Sequence, residues 1–205
     1  MKLLTGELSN EVHKVLYEFS DWFFEQDRSK IYLHGEADKN EYYTSEEYLD
    51  KINVDSHIGF PEHTYGIDLC DVYDVSAEFT EKLRNLDNEL NSIFVSKFNA
   101  VKMYYPKNGF MGWHNNWNCP GYNILLSFTK EGNGFFRYKN PITKEIITME
   151  DIPGWSVKTG YYGERSEPDK IFWHCARAYE ERLTLGYVIP DENMWKMTLE
   201  EIYDQ

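Results

Sequence analysis

The sequence predicts a mostly β protein with flanking helices, built on a jelly-roll-like core. Three observations predict it. Beyond Asn99 the chain breaks into eight short alternating or apolar runs, each ended by Gly, Pro or Asn, at about the 8–12-residue spacing of a sandwich or barrel. Aromatic residues make up 17% of the chain, with 16 Tyr, 12 Phe and 6 Trp, and such side chains suit strands better than a helical bundle. Before Asn99 the apolar residues instead recur three and four apart, the mark of helices with one covered face.

Taken in order, residues 8–26 place Val12, Leu16, Phe19 and Phe23 on one helical stripe. Thr44-Ser45-Glu46-Glu47 resembles a capping box that opens a short helix through Tyr48 and Leu49. The stretch from His57 to Tyr73 contains Gly59, Pro61 and Gly66 and reads as irregular, with a strand at 67–69. Residues 76–98 form the best helix, with Phe79, Leu83, Leu86, Leu90, Ile93 and Phe94 on one face and charges opposite. Strands are expected at 100–105, 110–114, 122–129, 134–138, 145–149, 155–162, 170–174 and 182–189, with turns at 130–134 and 139–141. A last helical stretch runs from Met197 to Tyr203, with Thr198 and Glu201 as cap partners. The expected division is an acidic helical extension at 1–98, a β core at 99–190 and a helical tail at 191–205.

Composition bounds the function. With 205 residues and 41% hydrophobic content the chain buries a proper core, which excludes a wholly disordered protein. No apolar run approaches the roughly 20 residues of a membrane-spanning helix. The opening MKLLTGELSNEV turns polar after Leu4, so no signal peptide is expected. Three cysteines, Cys70, Cys119 and Cys175, lack CxxC spacing, which predicts a reducing, cytoplasmic compartment without disulfides. The net charge of −14 is uneven: residues 1–98 carry 9 Lys/Arg against 21 Asp/Glu, and residues 99–190 carry 11 against 9. An acidic body disfavours extended duplex DNA, while the near-neutral half leaves room for one charged ligand.

Two of the six histidines stand out. His13, His34, His57 and His63 lie on a helix or in polar loops and read as surface or locally bonded residues. His114 and His174 each end a predicted strand beside a tryptophan, in Gly-Trp-His-Asn-Asn and Phe-Trp-His-Cys. On separate strands of a jelly roll they can face each other in the barrel mouth. With an oxygen donor at Asn116, two residues after His114, they make a facial triad for non-haem iron(II) with positions left open. Arg182 opens the last strand and can aim a planar guanidinium at a carboxylate in the same mouth. Thr184, two residues on, shares its face. Glu180 and Glu181 are alternative partners for Arg182. Trp113, Trp117, Trp155 and Trp173 either line a pocket or pack in the core.

This order, a strand Tyr, His-x-Asn, a second His and Arg-x-Thr, resembles the Tyr, His-x-acid, His and Arg-x-Ser/Thr order of the 2-oxoglutarate- and Fe(II)-dependent oxygenase superfamily over about residues 99–189. The run Asn-Ala-Val-Lys-Met-Tyr-Tyr-Pro at 99–106 is similar to the lead-in of AlkB-like members, and the wider string resembles small stand-alone oxygenases of phage and marine-microbial type. The resemblance implies a double-stranded β-helix, cupin-like core and iron held by His114, Asn116 and His174. It also implies 2-oxoglutarate held by Tyr105, Arg182 and Thr184, with dioxygen and an organic substrate as partners. The expected activity is hydroxylation with release of succinate and CO2.

The departure is Asn116, where the superfamily carries a carboxylate. It leaves three outcomes: an active His-Asn-His site, a carboxylate recruited from Glu131 or the loop near Asp151, or an iron-poor relative that binds a ligand without catalysis. Zinc held by His114, Cys119, His174 and Cys175 is the rival metal reading, although adjacent His174 and Cys175 face opposite sides of a strand. No GxSxG, Walker-type or Rossmann-type glycine pattern is present.

Overall fold

The computed structural model describes residues 1–4, 6–31, 33, 35–52, 59, 61–71, 77–96, 98–116 and 119–203. His34, His57 and Trp117 lie outside the described residues. In chain order the elements are β1 (Lys2–Leu4), α1 (Asn10–Glu25), α2 (Asn40–Tyr43), α3 (Glu46–Lys51), β2 (Thr64–Tyr65), β3 (Ile67–Asp68), α4 (Ala77–Phe94), β4 (Phe98–Tyr105), β5 (Phe110–His114), β6 (Gly121–Thr129), β7 (Gly134–Lys139), β8 (Ile146–Glu150), β9 (Gly154–Tyr162), β10 (His174–Ala178), β11 (Arg182–Ile189) and α5 (Glu192–Ile202).

The strands form two sheets, β1-β9-β6-β11-β4-β3 and β2-β5-β10-β7-β8. Every pairing is antiparallel. The core strands switch between sheets at every connection but one, the β7–β8 hairpin, with β4, β6, β9 and β11 in one sheet and β5, β7, β8 and β10 in the other. That is the double-stranded β-helix, or jelly roll. The short strands β1, β2 and β3 extend the sheet edges from the N-terminal half.

The largest apolar core lies outside the barrel. On the six-stranded sheet Ile124, Leu126, Val157, Leu183, Leu185 and Tyr187 point outward and pack against Val12, Leu16 and Phe23 of α1 and Leu86, Leu90 and Phe94 of α4. Each such side chain, fully buried, contributes roughly 1.5–3 kcal/mol. The alternate residues of the same strands point inward and are largely polar: Ser127, Ser156, Lys158, Arg182 and Thr184 are all buried. The other sheet is covered on its outer face by Leu49 of α3, which packs with Trp113, Phe135, Trp173 and Cys175.

Several expected boundaries move. The strand expected at 170–174 begins only at His174, because Pro168–Lys170 forms a 3-10 turn. His174 therefore opens a strand instead of ending one. The C-terminal helix starts at Glu192, capped by Asp191, whose carboxylate accepts from the N–H groups of Asn193 and Met194. Thr198 is no cap; its hydroxyl donates to the Met194 and Phe94 carbonyls. Ser45, not Thr44, caps α3 by accepting from the Tyr48 N–H.

Candidate active site

The chain brings His114 and His174 together through one irregularity in β5. His174 lies opposite His114, while Ala176 lies opposite Met111, so β5 spends three residues where β10 spends two. This bulge turns both Gly112 and Trp113 to the outside. The Trp113 indole donates to the Ser45 carbonyl at 2.8 Å, and the next residue, His114, faces the barrel. A bulge of this kind re-aims a side chain beside a site. The two imidazole centroids are 4.1 Å apart.

Both rings are held the same way. Nδ1 of His114 is 2.8 Å from the Gly112 carbonyl and Nδ1 of His174 is 3.0 Å from the Phe172 carbonyl. A carbonyl accepts only, so the proton sits on Nδ1 and the lone pair on Nε2. That is the tautomer a metal-binding imidazole needs. Burial holds His174 down to about 4, against a partial rise from its backbone hydrogen bond, so its ring is neutral at pH 7. Phe136, Tyr162 and Phe172 surround it with ring centroids at 5.0–5.6 Å.

Asn116 lines the same cavity as the two histidines. Among the described residues no group of three or more His, Cys, Asp or Glu is arranged to hold a metal, which corrects two expectations. Neither Glu131 nor Asp151 joins the histidines: Glu131 is exposed and Asp151 is committed to buried cations. The zinc set does not assemble either. Cys119 is exposed, and Cys175 faces away, with its thiol 3.8 Å from the Thr44 carbonyl. Nor do Trp113, Trp155 and Trp173 line the cavity; all three pack outside the barrel.

Deeper in the barrel, β4 and β11 pair with Arg182 opposite Tyr105 and Thr184 opposite Met103. Arg182, Thr184 and Tyr105 line the cavity that holds His114, Asn116 and His174. The Arg182 guanidinium sits 5.7 Å from the Tyr105 ring centroid and donates to the Ser127 hydroxyl at 3.1 Å and to Asp151 at 3.3 Å. Its Nε lies 3.0 Å from Asp151 Oδ2 but out of line for a hydrogen bond. Glu180 and Glu181 are not its partners: Glu180 accepts from the backbone of Glu131 and Asn133, and Glu181 pairs with Arg28 at 2.8 Å.

Sequence reasoning missed Lys158. Its ammonium donates to Asp151 at 3.1 Å and to the Ser156 hydroxyl at 3.2 Å, and it is wholly buried. The available signal was the alternation of β9, in which Ser156, Lys158 and Gly160 share a face. The ordinary expectation turns a lysine to solvent, but here the apolar phase is covered by helices and the polar phase looks inward. Gly134 makes room for this cluster: a Cβ there would meet Asp151 Oδ2 at 2.6 Å and the Arg177 carbonyl at 2.8 Å.

The cavity lined by His114, Asn116, His174, Tyr105, Arg182 and Thr184 is about 50 Å³, with Lys158 and Asp151 behind Arg182 and not on its wall. It has an imidazole pair at one level and a cationic floor at another. Among the described residues Thr184 Oγ1 has no hydrogen-bond partner, nor has Arg182 Nε, and both are buried; buried polar atoms of this kind call for one. The donor types fit a divalent metal at the histidines and a carboxylate at the floor.

No protein-family model matches the chain, and neither does any curated protein. Among solved structures it is similar to a prolyl-4-hydroxylase from Pseudomonas putida, with 16% identity and TM-score 0.43 over 92% of this chain and 91% of that one. It is also similar to a prolyl hydroxylase from Trichoplax adhaerens in complex with a hypoxia inducible factor peptide fragment, with 11% identity and TM-score 0.44 over 96% and 86% of the two chains. A predicted oxalate decarboxylase from Thermotoga maritima shares 12% identity at TM-score 0.27, over 47% of this chain and 68% of that one. These likenesses are distant.

Proposed function

We propose that the chain is an Fe(II)- and 2-oxoglutarate-dependent oxygenase that oxidises an organic substrate, most simply by hydroxylation with release of succinate and CO2. One observation carries the reading: two imidazoles with Nδ1 tied to carbonyls and a buried guanidinium line a single cavity in a jelly roll. His114 and His174 would hold the iron through Nε2, with the Asn116 amide oxygen as the third donor. Tyr105, Arg182 and Thr184 would hold 2-oxoglutarate, the guanidinium by charge-assisted hydrogen bonds and Thr184 by its unpartnered hydroxyl. When bound, iron and 2-oxoglutarate supply the activation of dioxygen that drives the oxidation. The protein's own part is positional. The carbonyls of Gly112 and Phe172 fix the two rings, and Phe136, Tyr162 and Phe172 shield His174 from water.

The test is succinate release from 2-oxoglutarate by purified protein with and without added Fe(II) under air, with ascorbate supplying the two electrons that the organic substrate would otherwise give. Iron-dependent succinate supports the reading; its absence at saturating iron and 2-oxoglutarate contradicts it. Asn116 favours a second reading, a ligand-binding relative that does no catalysis. A dication loses charge-assisted ligation when amide replaces carboxylate. That reading predicts binding of 2-oxoglutarate with no turnover, even with iron present.

A further inference from the structure

The floor of the barrel carries more charge than the proposed reaction assigns. Lys158 and Arg182 both reach Asp151, at 3.1 and 3.0 Å, and all three side chains are 1% exposed or less. Burial pushes the Lys158 ammonium below its ordinary range; the neighbouring Asp151 carboxylate, by its charge and a hydrogen bond, opposes that shift, and the Arg182 cation adds to it. A direct hydrogen bond to a carboxylate favours the charged amine. Two cations against one carboxylate leave one surplus positive charge out of water, and a buried charge of this kind needs a counter-charge. Ser127 and Ser156 contribute only hydroxyls. Taken alone, Arg182 and Asp151 would be a neutral pair with little to offer an anion.

We propose that Lys158 is a positioning residue for an acid ligand: by holding Asp151 it keeps the Arg182 guanidinium from being neutralised and sets the floor for a single carboxylate group. Asp151 in turn limits the surplus to one charge, so the floor accepts one carboxylate group and discriminates against a doubly charged group such as phosphate. This rests on the reading of the cavity as an acid-binding site.

The test uses metal-free full-length protein and glutarate, a five-carbon diacid without the oxo group, measured by calorimetry. Lys158→Met is expected to weaken glutarate by about tenfold or more, the loss of one charge-assisted interaction. The double variant Asp151→Asn with Lys158→Met has the same formal surplus as the wild type and is expected to recover to within about threefold of it. A purely structural role for Lys158 would not be rescued in this way. Unchanged binding in Lys158→Met overturns the proposal, as does a folded double variant no better than the single one. An independent arm needs no Lys158 variant: Asp151→Asn should gain binding of inorganic phosphate that the wild type lacks, and no gain overturns the proposal. Wild-type protein that takes no glutarate also overturns it. Glutarate binding with this pattern, but no iron-dependent turnover of 2-oxoglutarate, overturns the oxygenase reading and leaves this one standing.

Discussion

At the scale of the residue, the candidate site divides by how much each side chain reveals in sequence. His114, Asn116, His174, Tyr105, Arg182 and Thr184 could be singled out because their types and order carry chemistry, and all six line one cavity. Asp151 and Lys158 could not be given their place, since a lysine in an alternating strand has no mark that says which face is covered. Two predictions belong here. Arg182→Lys should weaken 2-oxoglutarate by about tenfold or more without unfolding the protein, because an ammonium keeps the charge but loses the planar fork. Calorimetry with iron present and air excluded reads it, and unchanged affinity would move the acid elsewhere. Asn116→Asp should tighten Fe(II), since a nearly isosteric carboxylate replaces a neutral amide against a dication. Iron affinity that does not move would take Asn116 out of contact with the metal.

At the scale of the element, the helices and most strands were legible from period alone, while the side each strand buries was not. The 3.6-residue stripe of 8–26 matches α1, and that of 76–98 matches α4 only as far as Phe94, since Val95 takes a positive φ and Phe98 already opens β4; Phe23, Leu86 and Leu90 are buried against the six-stranded sheet. The bulge in β5 left no trace in the sequence, because Gly-Trp-His reads as an ordinary strand end until its partner is known. Phe23 tests the outer core. It is fully buried and its ring meets those of Phe19, Phe79 and Tyr104 at 5.3–6.1 Å. Phe23→Ala should cost about 3–5 kcal/mol in urea unfolding. A cost under about 0.5 kcal/mol, the size of a surface change, would mean that α1 does not seal the sheet.

At the scale of the whole molecule, the fold is a barrel with its grease on the outside and its charges within, and that arrangement makes stability depend on pH. His174 has its folded pKa lowered to about 4 from 6.5 by burial. The unfolded chain therefore binds a proton first as pH falls, so this contribution is fully present above 6.5 and is lost on the way down to 4. Metal-free protein should lose about 2 kcal/mol of unfolding free energy between pH 7 and pH 5 from this group alone. His174→Ala should show a correspondingly shallower slope in urea titrations at the two pH values. The central claim, that His114 and His174 form a metal centre, is tested most directly by anaerobic Fe(II) titration of the wild type, His114→Ala and His174→Ala, with His13→Ala and His63→Ala beside them. The account predicts stoichiometric iron in the wild type and in the His13 and His63 variants, and none in the other two. Iron retained by His114→Ala or His174→Ala at wild-type affinity would contradict it.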